Sequence, residues 1–142
     1  MSARPAHVDV REVGPRDGLQ NETPVPIDQR VRLIDALSET GLRFIEAASF
    51  VSPTAIPPMA GAQEVMTRVS RRPGVVYSAL VPNPKGAELA TAAGADELEL
   101  VVSASETHNQ KNVNRSIEES LSGLEATIAT AKGEGLGCEG VI

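Results

Sequence analysis

Arg16 and Asp17 stand side by side in EVGPRDGLQNE (residues 12–22), with Gln20, Asn21 and Glu22 close behind. The two side chains offer complementary chemistry. An aspartate is a hard oxygen donor of the kind that Mg²⁺ or Mn²⁺ takes. An arginine is a permanent cation whose planar fork suits a carboxylate or an enolate. Neighbours on an extended loop point apart. Such a pair can approach two parts of one substrate instead of neutralising each other. Gly14 and Gly18 bracket the pair and permit backbone angles closed to other residues. An Arg-Asp dipeptide is also common in plain surface turns, so its place in the fold has to decide between the two readings.

Other chemistry-bearing residues recur at matching places. Glu46 closes the apolar run RFIEAAS (43–49), followed by Ser49 and a Pro-bracketed loop, Ser52–Met59. Asn83 and Ser103 end the next two apolar runs. His108 lies in the polar stretch ASETHNQKNVN beside Asn109, Lys111 and Asn112. A histidine there is either a base or ligand, or a solvated loop residue; metal sites need convergent ligands and no second histidine is near. Lys111 is either a contact for the phosphates of a large cofactor-like substrate or an exposed loop lysine. His7 precedes the first strand, on the opposite rim. Cys138, the only cysteine, has no disulfide partner and reads as the start of a strand, not as a reactive thiol.

The elements that must position these residues alternate strand with helix. Strands are predicted at 8–13, 43–49, 75–81 and 96–103, with a fifth beginning at 138. The first helix is predicted over 28–41, with Val31, Ile34 and Leu37 on one face, Asp28 as N-cap and Gly41 as stop. Further helices are expected at about 61–70 and from Asn83 to Gly94, with Pro84 at the first position. The last starts at the capping box Ser116–Glu119, carries Ile117, Leu121, Leu124 and Ile128 in register, and fades at Gly133. Such strand–helix units mean a parallel sheet, with its site at the carboxyl ends of the strands. An open doubly wound sheet and a (β/α)₈ barrel both fit. DELELVVS favours the barrel, because Glu97 and Glu99 share one face of an apolar strand. A barrel lumen can satisfy them; an exposed edge is the alternative. A complete barrel takes about 250 residues, so the expectation is a single partial domain over 1–142: half a barrel, ending within its fifth strand.

Composition narrows the function. Charged residues make up 23% and the net charge is −6, which argues against a nucleic-acid partner and an anionic membrane surface. No apolar run approaches the roughly 20 residues that span a bilayer. The N-terminal residues carry no signal core or presequence pattern, so a cytoplasmic protein is expected. Aromatics are only 2%, so the core must be aliphatic. Gly-x-Gly-x-x-Gly, P-loop, Gly-x-Ser-x-Gly and Cys-x-x-Cys patterns are absent, which disfavours nucleotide-binding, hydrolase-elbow and zinc-ribbon classes.

VGPRDGLQNE (13–22) resembles the signature of hydroxymethylglutaryl-CoA lyases, within the metallolyase TIM-barrel group that also holds isopropylmalate and homocitrate synthases. IEAASFVSP (45–53), Pro58-Met59, LVPNPKGAELATAAGADEL and Asn-x-x-x-Ser-Ile-Glu-Glu are similar to the same family. RDG alone belongs to the wider group, whereas GPRDGLQNE with FVSP points to the lyase branch. The resemblance implies a C–C lyase that holds 3-hydroxy-3-methylglutaryl-CoA on Mg²⁺ or Mn²⁺ and yields acetoacetate and acetyl-CoA. It implies Asp17 as a metal ligand and Arg16 as the cation beside the developing enolate. Glu46 becomes a catalytic carboxylate that orients Arg16 or tunes the base. Gln20, Ser49 and Asn83 are candidate substrate contacts. The full-length enzyme is expected to be a homodimer. The family's His-x-His ligand pair, Asn ligand and catalytic Cys have no counterpart in these residues, so the chain alone is expected to be inactive. Two alternatives stand beside this reading. One is a Claisen-condensing relative or a lyase for another acyl-CoA; the other is a non-catalytic half barrel that self-associates through its sheet edges.

Overall fold

The computed structural model describes residues 4–142, built as five parallel strands with helices between them. The strands are β1 (Arg11–Glu12), β2 (Phe44–Ser49), β3 (Val76–Leu80), β4 (Glu97–Val101) and β5 (Gly137–Val141). Their order in the sheet is their order in the chain, and every neighbouring pair is parallel. A doubly wound sheet reverses direction at a switch point. This sheet never does, so it winds one way into a curled half barrel.

The helices are α1 (Ile27–Ser38), α2 (Ala62–Arg68), α3 (Pro84–Ala92), α4 (Glu106–Val113) and α5 (Ile117–Gly133). Apart from α4 they pack on the outside of the sheet. Ile34, Val65, Ala87, Ala90 and Ala131 meet the outward strand residues Ile45, Ala79 and Leu98, and all of these are fully buried. The core is aliphatic, as the composition requires. Its one large aromatic, Tyr77, is 1% exposed and donates its hydroxyl to Ser38 Oγ at 2.9 Å.

Several expectations need correction. β1 is two residues long, not six: β2 begins only at Phe44, so nothing stands opposite the residues before Arg11. Val8 and Val10 are consequently 68% and 62% exposed. α1 starts one residue early, with Pro26 at its N-cap position and no side-chain cap. Asp28 lies in the first turn and pairs with Arg68 of α2 instead. Residues 106–113, expected as loop, form α4. Asn83 and Pro84 open α3 as expected, with Asn83 Oδ1 accepting from Gly86 N at 2.9 Å. The Ser116–Glu119 capping box is formed in both directions. In α5 the buried line is Ser120, Thr127 and Ala131, with Leu124 and Ile128 partly buried and Leu121 48% exposed. Small residues face α3 because α3 presents alanines there, which lets the two helices approach closely.

The inner face carries charge. Arg11 reaches from β1 across the curl and donates to Glu97 Oε1 at 2.6 Å and to Glu99 Oε1 at 3.1 Å. It also pairs with Glu139 Oε2 at 2.6 Å and donates to Ser78 Oγ at 3.0 Å. Ser78 in turn donates to Glu99 at 2.6 Å. The strand carboxylates are thus met within the lumen, as the barrel reading expects of Glu97 and Glu99.

Candidate active site

At the carboxyl end of β1 the chain winds into a π-helical turn, Gly14–Gly18. Val13 C=O accepts from Arg16 N at 3.1 Å, Asp17 N at 2.7 Å and Gly18 N at 3.4 Å. The loop is therefore coiled, not extended, and Arg16 and Asp17 do not point apart: Arg16 Nη1 donates to Asp17 Oδ1 at 2.9 Å. Neither bracketing glycine takes a positive φ. At Gly14 a larger residue would only have to push aside the flexible end of Glu12. The Gly14 N–H donates to Glu12 Oε1 at 2.7 Å, and an added Cβ would stand 2.7 Å from that same oxygen.

Glu46 lies at the matching level of β2. Its side chain is wholly buried and receives the side edge of Arg16, Nε to Oε1 and Nη2 to Oε2, the latter at 3.0 Å. This is the bidentate fork geometry that fixes a guanidinium in both position and plane. A register shift in the β2–β3 ladder between Glu46 and Ala48 breaks the alternation just beyond Glu46. Burial pushes the Glu46 carboxyl up to about 8; the bond from Arg16 opposes the rise and Glu99 adds to it. Five carboxylates, Asp17, Glu46, Glu97, Glu99 and Glu139, thus share two guanidiniums, Arg11 and Arg16.

Asp17 is 58% exposed, and beyond the atom that meets Arg16 it offers a second oxygen at the mouth. Among the described residues it belongs to no cluster of three ligand-type side chains. It therefore fits a divalent ion as one hard donor of several. The lumen trio Glu97, Glu99 and Glu139 does converge, but the Arg11 guanidinium already occupies its centre, so it does not suit a cation.

Ser49, at the end of β2, is 1% exposed, and its hydroxyl has no hydrogen-bond partner among the described residues. Gln20 is half-buried just past the π-turn. The cap on α3 engages only Oδ1 of Asn83. Ser103 follows β4, and its hydroxyl meets His108 Nδ1 at 2.6 Å, placing that exposed histidine on α4. Lys111 is exposed on the same helix, and His7 is exposed ahead of β1, bonded to Asp9. Cys138 is exposed within β5, and partial burial raises its thiol pKa. The residue missed by sequence reasoning is Arg11, whose carboxylate partners lie more than 80 positions away.

The parallel half barrel that carries this fork-held Arg-Asp turn at its carboxyl rim is half of a TIM barrel, and the family model described as HMGL-like matches residues 7–141. The chain belongs to the HMGL-like family. A Gallus gallus protein named hydroxymethylglutaryl-CoA lyase, mitochondrial, is 50% identical over 141 residues, covering 99% of this chain and 47% of the relative. A Pseudomonas aeruginosa protein named 3-hydroxy-3-isohexenylglutaryl-CoA/hydroxy-methylglutaryl-CoA lyase is 46% identical over 129 residues, 90% of this chain and 43% of its own. A solved HMG-CoA lyase from A. baumannii, in complex with coenzyme A and 3-methylmalate, superposes with a TM-score of 0.91 at 43% identity, covering 99% of this chain and 46% of that one. The chain spans about half the length of the curated relatives it matches. Among the described residues no helix is long and apolar enough to cross a membrane.

Proposed function

We propose that these residues form the N-terminal half of a metal-dependent lyase that cleaves 3-hydroxy-3-methylglutaryl-CoA into acetyl-CoA and acetoacetate. The observation that carries this reading is the Arg16–Glu46 fork beside Asp17, at the carboxyl ends of β1 and β2. Glu46 holds the Arg16 plane fixed, so the cation needs no reorganisation when negative charge develops on a thioester oxygen. Preorganised charge of this kind is often the largest catalytic contribution. Asp17 would hold the divalent ion, Mg²⁺ or Mn²⁺, which when bound polarises the substrate's hydroxyl and carboxylate oxygens. The unpartnered Ser49 hydroxyl, with Gln20 and Asn83, is suited to orient the acyl portion. The remaining metal donors and the proton-transfer groups belong to the half of the relatives' length that this chain does not span. The 142-residue chain alone is accordingly inactive, in a reducing, cytoplasmic setting that suits its one free thiol.

The test is acetoacetate release from the CoA thioester, with added Mg²⁺, by a protein carrying both halves. Arg16→Gln should lower kcat by on the order of 10²–10³, the cost of removing one preorganised donor. Retention of full activity would refute the assignment. The isohexenylglutaryl-CoA named for the Pseudomonas relative favours one further comparison. Faster turnover of a longer-branched acyl-CoA than of the methyl compound would shift the substrate while keeping the reaction.

A further inference from the structure

Arg16 is held from two sides, and the two anchors are unequal. Nε and Nη2 donate to Glu46, a wholly buried carboxyl that fixes the guanidinium in position and plane. Nη1 makes a single bond, to Asp17 Oδ1 at 2.9 Å. The Asp17 side chain is 58% exposed and that of Glu46 is 0% exposed. Solvent and ions therefore reach the Asp17 carboxylate and do not reach the Glu46 carboxyl. A guanidinium gripped along one edge by two bonds can lose the single bond on its other edge without leaving its place.

The Nη1 bond competes with any cation that Asp17 takes. This step rests on the reading of Asp17 as a ligand for a divalent ion. An ion on the Asp17 carboxylate draws on the same negative charge as the Nη1–H bond, and two cations a few ångströms apart repel. Neither partner is free to move off. Glu46 holds the guanidinium, and the π-turn holds the backbone of both residues, because Arg16 N and Asp17 N both donate to Val13 C=O. The conflict between ion and guanidinium is thus concentrated in one hydrogen bond.

We propose that a divalent ion on Asp17 releases the Arg16 Nη1 bond while the Glu46 fork stays closed, so that filling the ion site frees one N–H donor of the cation for a substrate oxygen. Coupling of this kind is reciprocal: Arg16 must weaken the hold of Asp17 on the ion. The test needs no turnover. A protein carrying both halves is titrated with Mg²⁺ alone, at constant ionic strength, while ¹H–¹⁵N spectra follow the Asp17 amide and the Arg16 guanidinium. A saturable shift is expected at Asp17. Over the same concentrations the Arg16 Nη1 signal should shift and exchange faster with water, and the Nε signal should stay. Arg16→Met removes the competitor and should tighten Mg²⁺ at Asp17 by on the order of tenfold, within the usual range of such couplings. Glu46→Gln leaves Asp17 as the one carboxylate on Arg16 and should weaken Mg²⁺ there. A turn that was merely disturbed would weaken it in both variants. An unchanged Nη1 signal while Asp17 saturates, or affinity in Arg16→Met no higher than in the unaltered protein, would overturn the coupling and leave the lyase reading standing. No response at Asp17 at any Mg²⁺ concentration would refute its assignment as a ligand, and the coupling with it.

Discussion

Glu46 has two unlike neighbours, a guanidinium and another carboxyl, and its environment has a measurable consequence. An acid whose native pKa is raised binds its proton more tightly folded than unfolded. Stability therefore falls as pH rises from the ordinary glutamate range, near 4.5, to the native value of about 8. The urea midpoint should be lower at pH 8 than at pH 5. Glu46→Gln should flatten that difference, by on the order of 1–3 kcal/mol. An unchanged slope would mean that the proton resides elsewhere in the Glu46–Glu99–Arg11–Arg16 set. Much of this site was legible in the residues themselves. GPRDG and the closing Glu46 of RFIEAAS mark both members of the fork, because their chemistry is local to two strand ends. What could not be read was that Arg16 leans on Asp17, since that depends on the π-turn wound by three donors to Val13 C=O.

The strands β2, β3 and β4 and the helices α3 and α5 formed where the sequence predicted them, and α4 shows why one was missed. Its eight residues, ETHNQKNV, carry no apolar stripe, and only Asn109 is buried. The helix is anchored chiefly by that buried amide: Asn109 Nδ2 donates to Arg115 C=O, Ser116 C=O and Ser120 Oγ at 2.7–3.0 Å, while Oδ1 accepts from Ser103 N at 3.2 Å. Asn109→Ala strands several buried polar groups and should cost about 2–4 kcal/mol in chemical denaturation. His108→Ala, removing an exposed ring, should cost far less. At the head of α2, Gly61 holds φ +78°, and an added Cβ would meet Ile27 Cδ1 at 2.6 Å. Gly61→Ala should destabilise by about 1–3 kcal/mol. Pairing it with Ile27→Ala should restore only the steric share, leaving the backbone strain.

Across the whole molecule, charge on the concave face replaces the aliphatic filling that lines the convex face. Among the described residues Arg11 is the only cation that reaches Glu97, Glu99 and Glu139, whose ligand atoms lie within 4.8 Å of one another. Arg11→Met leaves those carboxylates uncompensated and should cost about 3–5 kcal/mol at pH 7.5. Because crowded carboxyls then retain protons, part of the loss should return at pH 5, visible as a smaller gap between the variants' urea midpoints. The fold class was legible because strand–helix alternation and acidic strand residues both call for a lumen. The length of β1 was not, because a strand's extent depends on where its partner begins.

The Arg11 cluster also bears on descent. Four side chains from three strands neutralise one another, so a substitution at any one of them alters the worth of the other three. Lineages that lose the arginine should shed acidic groups at positions 97, 99 or 139, or recruit a base at one of them. Drift at these sites is thus correlated, and a tree of the family would record it as paired exchanges, not as independent replacements.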